Sequence, residues 1–166
     1  AINAYRAGEV QGISTIPPQA IPTVQSLPGL NLYSARLSGY EIIYLNLQAA
    51  GTAPYFQQAE VRQALMYALN RQQIIDQALH GQGLVAHGPI LPWSWAYNPD
   101  TPQYSYDPAR AAALLDESGW IDTDYDGIRD HEGQPLSFGL LVSDTPAKIE
   151  AATMIADQWR AVGIEA

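Results

Sequence analysis

Twelve prolines and thirteen glycines punctuate this chain of 166 residues, and where they fall restricts the fold more than any other feature. Proline fixes φ and lacks an amide proton, so it interrupts helices and is confined to sheet edges. Pro17, Pro18, Pro22 and Pro28 therefore keep the stretch from Gly12 to Leu30 out of long regular elements, leaving loops and one short helix after Pro18. A second proline-dotted stretch, 83–106, holds Trp93, Trp95, Tyr97, Tyr104 and Tyr106. A loop this long inside a domain is either functional or packed as an Ω-type surface segment.

Regular structure is left to the windows between. Residues 1–10 read as a helix that ends near Gly8. Residues 39–47 are β-branched and aromatic, and apolar on both faces at their centre, which predicts an interior strand. Val61, Leu65, Met66 and Leu69 recur at helical spacing over 58–69, and Ile74, Ile75 and Leu79 mark a second helix that Gly81 closes. Asp107 and Pro108 open a helix, the first by accepting free amide protons and the second by suiting the first turn; Ser118-Gly119 ends it. Alternation of Leu136, Phe138, Leu140 and Val142 predicts a strand over 136–142. A last helix runs from Thr145-Pro146 to Gly163, with Ile149, Ala152, Ile155, Trp159 and Val162 as its stripe. Mixed helices and strands imply an α/β or α+β layer architecture.

Composition removes several function classes. The formal charge is −9 and Lys148 is the one lysine, so a surface that tracks nucleic-acid phosphates is not expected. Only 15% of residues are charged, and fourteen glutamines supply much of the polar surface. With no cysteine there are no disulfides, thiol nucleophiles or thiolate metal sites. No apolar run approaches the roughly 20 residues that span a bilayer. Neither end reads as a natural terminus: there is no initiator methionine, and a new strand is expected to begin after Gly163. Both ends are expected to be cut from a longer chain.

The sharpest local signal is acidic. Asp116, Glu117, Asp122, Asp124, Asp126, Asp130 and Glu132 crowd into one stretch. Alternate carboxylates at Asp122, Asp124 and Asp126, a glycine at Gly127, the carbonyl of Ile128 and the carboxylate of Asp130 are what a hard cation such as Ca²⁺ requires. The twelfth position, which should bring a bidentate glutamate, is Gly133, with Glu132 one residue early. The plain alternative is a polar turn between helix and strand. Gly81-Gln82-Gly83-Leu84-Val85-Ala86 fits a loose dinucleotide fingerprint, but a helix precedes it, so the glycines read as a helix stop and a turn. His80, His87 and His131 lack ligand spacing, and no nucleophile or carboxylate pair supports catalysis. Trp93 and Trp95 either wall a cleft or bury their loop against its own domain. Arg62 and Arg71 fit helix-surface pairs or caps better than an anion site.

The block Ala59-Glu60-Val61-Arg62-Gln63-Ala64-Leu65-Met66-Tyr67-Ala68-Leu69-Asn70-Arg71 resembles a helix of the family 5 extracellular solute-binding proteins of ABC importers. Tyr106-Asp107-Pro108-Ala109-Arg110-Ala111 with Leu114-Leu115 and Gly119-Trp120 is similar to a second block of that family. The run from Asp124 to Arg129, Gly133 to Leu136, the step from Ala4 to Val10, Tyr44-Leu45-Asn46 and Gly163-Ile164 add further likeness in the same order. The likeness covers nearly the whole chain, with departures at Gln11 and at Ala49-Ala50-Gly51.

That resemblance implies an α/β fragment of a two-lobed, type II periplasmic-binding-protein fold, with a mixed sheet and flanking helices. Residues 1–50 would be the end of lobe one and the crossing strand, and 51–166 the first part of lobe two. It implies a non-catalytic receptor for an oligopeptide or other small solute, closing its lobes on the ligand and docking on a membrane permease. Ligand contacts would include Ser14, Thr15, Ser38, Gly39 and Tyr40, whose backbone would pair with an extended peptide, and Trp93 and Trp95 from the aromatic loop. No cofactor is required apart from Ca²⁺ as a candidate. The protein would be periplasmic or extracellular, with a lipid anchor as one mode of attachment. A fragment so cut would expose apolar surface and self-associate. The rival is a calcium-stabilised extracellular interaction module centred on the 122–130 loop.

Overall fold

Helices start and stop where local chemistry satisfies their free backbone ends in the computed structural model, which describes residues 1–48 and 54–166. The first helix, α1 (Ile2–Arg6), is shorter than its window, and α2 (Ile21–Gln25) follows a 3₁₀ turn at Pro18–Ala20. The Tyr5 hydroxyl of α1 donates to the carbonyl of Pro28, just beyond α2, at 3.2 Å. Ile21, Val24 and Leu27 are buried there.

The tandem helices are α3 (Ala59–Tyr67) and α4 (Arg71–Ala78). The break between them is made by Asn70, whose side-chain oxygen accepts from the Gln73 amide at 3.0 Å. Gln158, from the last helix, accepts the Asn70 amide proton at 2.7 Å and ties the break to that helix. Helix α5 (Pro108–Glu117) begins as its sequence dictates, with Asp107 accepting from the Arg110 amide at 2.9 Å. It ends in a Schellman turn: Gly119 takes φ +80°, and the Trp120 amide donates to the Leu115 carbonyl at 2.9 Å. Helix α6 (Pro146–Arg160) ends the same way at Gly163, φ +86°, with Ile164 donating to Trp159 at 3.1 Å.

Sheet structure is slight. Strands β1 (Asp130–His131) and β2 (Gln134–Pro135) form an antiparallel hairpin pairing Asp130 with Pro135 and His131 with Gln134. Its two-residue loop, Glu132-Gly133, has positive φ at both positions (+52° and +73°), which makes it a type I′ turn. A parallel bridge joins Ser137 to Glu165, with Phe138 donating to Glu165 and Glu165 to Leu136, each at 3.0 Å. Residues 136–138, α6 and 164–165 thus form a minimal β-α-β unit.

One core holds 55–164 together: Tyr55, Phe56, Val61, Leu65, Leu69, Leu114, Leu115, Trp120, Leu136, Trp159 and Ile164 form a single buried cluster. Ala64, Ala68 and Ala111, which have almost no exposed surface, let α3 and α5 approach closely. Polar atoms that enter the core are paired. The indole of Trp159 donates to the Leu65 carbonyl at 3.0 Å, that of Trp120 to Gln58 at 3.0 Å, and the Tyr55 hydroxyl to the Ser137 carbonyl at 3.1 Å. Burial pushes the Tyr55 phenol above its ordinary value.

Two sequence expectations need correction. Residues 39–47 are extended but form no ladder among the described residues, and they are largely exposed, Tyr44 at 85%. Only Leu45 packs on the core, because no described strand lies alongside to cover either face. The expected strand over 136–142 pairs only as far as Phe138. Leu136, Phe138 and Leu140 face the core as the alternation implies, but Val142 is exposed and pairs with no strand among the described residues. The expected lobe boundary at 50/51 and the Ala49-Ala50-Gly51 departure lie outside the described residues.

Candidate functional site

Segment 31–48 crosses the face of the 55–164 body without hydrogen-bonded strand partners among the described residues, and side chains anchor it along its length. The Ser34 hydroxyl donates to Gln82 at 2.9 Å, Arg36 sits 5.7 Å above the ring of Trp93, and Glu41 pairs with Lys148 at 3.2 Å. Arg36 therefore anchors its own segment, two residues before Ser38, to Trp93 of the aromatic loop. Ser38, Gly39 and Tyr40 are exposed, as are Trp93 and Trp95. Trp95 is 98% exposed, so it does not pack the loop against the described residues. An exposed extended backbone, a cation stacked on Trp93 and the exposed indole of Trp95 are chemistry suited to pairing with an extended polar chain while stacking its apolar side chains.

Ser14 and Thr15 stand elsewhere. Both are exposed, and Thr15 lines an open pocket of about 350 Å³ whose walls come from the amino-terminal residues, among them Ile2, Asn3 and Ile16. Thr15 has φ +56°, unusual for a β-branched residue. Its pocket does not include the Trp93 group.

Arg36 was missed by sequence reasoning, although a signal existed: it is the one charged residue between positions 10 and 40. Gln82 was masked by the glycines around it. Arg62 and Arg71 act as structural anchors. Arg62 donates to the carbonyls of Phe56 and Gln57, closing the 3₁₀ turn Pro54–Gln57, at 2.7 and 2.9 Å. Arg71 donates to Ala86 and Tyr104, both at 2.7 Å, and ties the two ends of the 83–106 loop together. Gly81, at φ +74°, lies just beyond α4, in keeping with a helix stop.

Of the acidic residues, Asp122, Asp124 and Asp126 converge, each offering an oxygen within 4.8 Å of the others. One oxygen of each is taken by a backbone amide: Gly127 donates to Asp122 at 3.0 Å, Asp126 to Asp124 at 3.2 Å and Ile128 to Asp126 at 2.7 Å. The other oxygen of Asp122 is enclosed and lacks a hydrogen-bond partner. Asp130 is held apart from this trio: its Oδ2 accepts from the Thr123 amide at 2.9 Å and hydroxyl at 2.7 Å. Those two bonds hold its carboxyl below the usual carboxylate range. Ile128 buries its side chain, and Gly133 is spent in the hairpin turn. Three carboxylates fall short of the six to eight oxygens that Ca²⁺ takes, so carbonyls and water would have to complete the shell.

A profile of the bacterial extracellular solute-binding proteins, family 5 middle region, matches residues 1–166. The chain belongs to the family 5 bacterial extracellular solute-binding proteins. This family 5 chain is 32% identical over 168 residues to the oligopeptide-binding protein AppA of Bacillus subtilis (strain 168), covering 99% of this chain and 30% of that one. It is 30% identical over 164 residues to di/tripeptide-binding protein 1 of Pseudomonas aeruginosa (strain UCBPP-PA14), covering 97% and 28%. Among solved structures, NikA from Brucella suis, in complex with Fe(III)-EDTA, superposes with a TM-score of 0.75 at 29% identity over 98% of this chain and 33% of that one. AppA in complex with a nonapeptide gives 0.65 at 38% identity, over 68% and 23%. The fold is accordingly α/β, of the two-lobed periplasmic-binding-protein type. The family 5 chain spans less than a third of the length of the curated relatives it matches. No helix among its described residues is long and apolar enough to cross a membrane. Nothing in these likenesses favours a separate calcium-stabilised interaction module.

Proposed function

We propose that this chain is part of the solute-binding receptor of an ABC importer, working outside the cytoplasmic membrane, and that its solute is an oligopeptide. The observation that carries the reading is the family match over all 166 residues, joined to relatives whose names specify oligopeptides and di/tripeptides. The exposed backbone of 38–40, two residues past the Arg36 that stacks on Trp93, and the exposed Trp95 support the peptide assignment, because main-chain pairing gives affinity without demanding a side-chain sequence. Thr15 contributes from the amino-terminal pocket and Ser14 from beside it when the lobes close. The receptor performs no covalent chemistry; it hands its solute to a membrane permease, and a lipid anchor would keep it near that partner. Residues up to about 50 belong to one lobe and those beyond to the other, and the Asp122, Asp124 and Asp126 trio is an accessory Ca²⁺ site within it.

The test is native mass spectrometry of the full-length receptor purified without denaturant. A heterogeneous set of short-peptide masses released on unfolding is expected; a single sugar or metal-chelate mass would overturn the peptide assignment. In the same protein Trp95→Ala should weaken peptide affinity by about fivefold or more, the loss typical of an aromatic anchor, and leave the melting temperature unchanged. Unaltered affinity would remove Trp95 from the binding surface.

A further inference from the structure

The long aromatic loop over 83–106 is closed by one residue. Arg71, on α4, donates to the carbonyls of Ala86 and Tyr104, residues that stand near the two ends of the loop. Arg71 makes no ion pair among the described residues, and its partly buried charge is balanced by carbonyl dipoles alone. The Ala86 carbonyl belongs to the peptide bond that leads into His87. The His87 Nδ1 is closed off from solvent and has no hydrogen-bond partner. Beyond it, a Cβ added at Gly88 would come within 3.9 Å of the Thr101 methyl, so the two limbs of the loop run near each other just past the latch.

A neutral imidazole tolerates this setting, since Nδ1 then presents only a lone pair. An imidazolium does not, because both ring nitrogens become donors and the one at Nδ1 would be enclosed without an acceptor. Arg71 on α4 is the charged group whose field acts on the ring. We propose that His87 is the proton-sensitive release of the 83–106 loop: while its ring is neutral the Arg71 latch stays shut, and a proton on the ring opens it.

The sign follows from linkage. Burial first, and the charge of Arg71 second, hold the His87 ring below its ordinary value while the loop is shut. With the loop open the ring regains an ordinary value of about 6.5. The open form binds protons more readily, so closure is fully favoured above about 6.5 and weakens as the pH falls toward the lowered value, where the loss levels off. Trp93 and Trp95 ride on this loop, so its release would rearrange the aromatic surface. The inference rests on the latch geometry and is indifferent to which solute is bound.

Hydrogen–deuterium exchange of the full-length receptor tests it, comparing peptides from 83–106 with those from α3 and α5 at about pH 7.5 and about pH 5, corrected for intrinsic exchange. Protection in the loop should fall at the lower pH by up to about tenfold for each unit by which closure lowers the His87 value, with α3 and α5 unchanged. His87→Gln, which cannot take up the proton, should show a loop protection independent of pH. A loop whose protection ignores pH in the unsubstituted protein, or falls equally in His87→Gln, overturns the proposal. If His87→Gln does not fold, imidazole proton shifts in the unsubstituted receptor decide the matter. A His87 midpoint below the ordinary value supports the latch, and one at or above it overturns it.

Discussion

Replacing Gly163 by alanine isolates one packing contact from one backbone requirement. Gly163 has φ +86° and ends α6; a Cβ there would lie 2.7 Å from Cγ and 3.1 Å from Cδ of Arg129. These are stem atoms of a side chain pinned at its far end. The Arg129 Nε donates to the Val162 carbonyl at 2.8 Å, and Nη1 donates to the Trp120 carbonyl at 2.6 Å and to the Asp116 carboxylate. The stem therefore cannot step aside without breaking the bond at Nε. Gly133 supplies the control: its φ is +73°, but a Cβ there meets nothing within 4 Å. Gly133→Ala should lose about 1–2 kcal/mol, the cost of left-handed backbone in an ordinary residue. Gly163→Ala bears that cost and also loses a charge-assisted hydrogen bond worth about 1.5–3 kcal/mol, for a total of about 2.5–5 kcal/mol. Urea unfolding of the two variants measures the difference. In a double-mutant cycle, Arg129→Ala should rescue part of the Gly163→Ala loss, since the clash disappears with the stem. Equal destabilisation of the two glycine variants, or a cycle with no coupling, would refute the reasoning.

Other expectations can be checked independently. Trp159→Phe keeps most of the buried ring but strands the Leu65 carbonyl, and should cost about 1–3 kcal/mol in the same unfolding assay. Thr123→Val removes the hydroxyl donor to Asp130, so the Asp130 carboxyl, now held low, should titrate closer to the ordinary value of about 3.9 in a carbon-detected NMR titration. Because that value is depressed in the fold, its stabilising contribution is present above about 3.9 and is lost as the pH falls through the lowered value. Calcium added to the receptor should release heat in a calorimetric titration and raise the melting temperature, and Asp124→Asn with Asp126→Asn should abolish both. No heat at millimolar Ca²⁺ would leave the loop as a polar turn.

The helices were legible because each is written in local chemistry. Asp107 and Pro108 open α5, Gly119 and Gly163 end α5 and α6 with left-handed turns, and Asn70 divides α3 from α4; in each case the deciding atoms lie within a few residues of one another. The family likeness rested on the same blocks, which is why it was visible before any coordinates. The strands were less legible. Residues 39–47 have the composition of an interior strand, yet a strand is a relation between two segments, and no described segment lies beside this one. Composition reports what could be covered, not what covers it.

The candidate site divides along the same line. Asp122, Asp124 and Asp126 could be named from spacing because a tight turn brings alternate residues together, whereas the withdrawal of Asp130 depends on where Thr123 points. Trp93 and Trp95 could be named as aromatic, but their exposure and the seat of Arg36 above Trp93 follow from two segments more than fifty residues apart. The sequence by itself determined the helices, their caps, the acidic turn and the family, since those depend on short-range hydrogen bonding and on ordered blocks of residues. Tertiary structure alone decided which anchors hold the long loop, which of its rings face solvent and which carboxylates meet, because burial and long-range contacts depend on how distant segments pack.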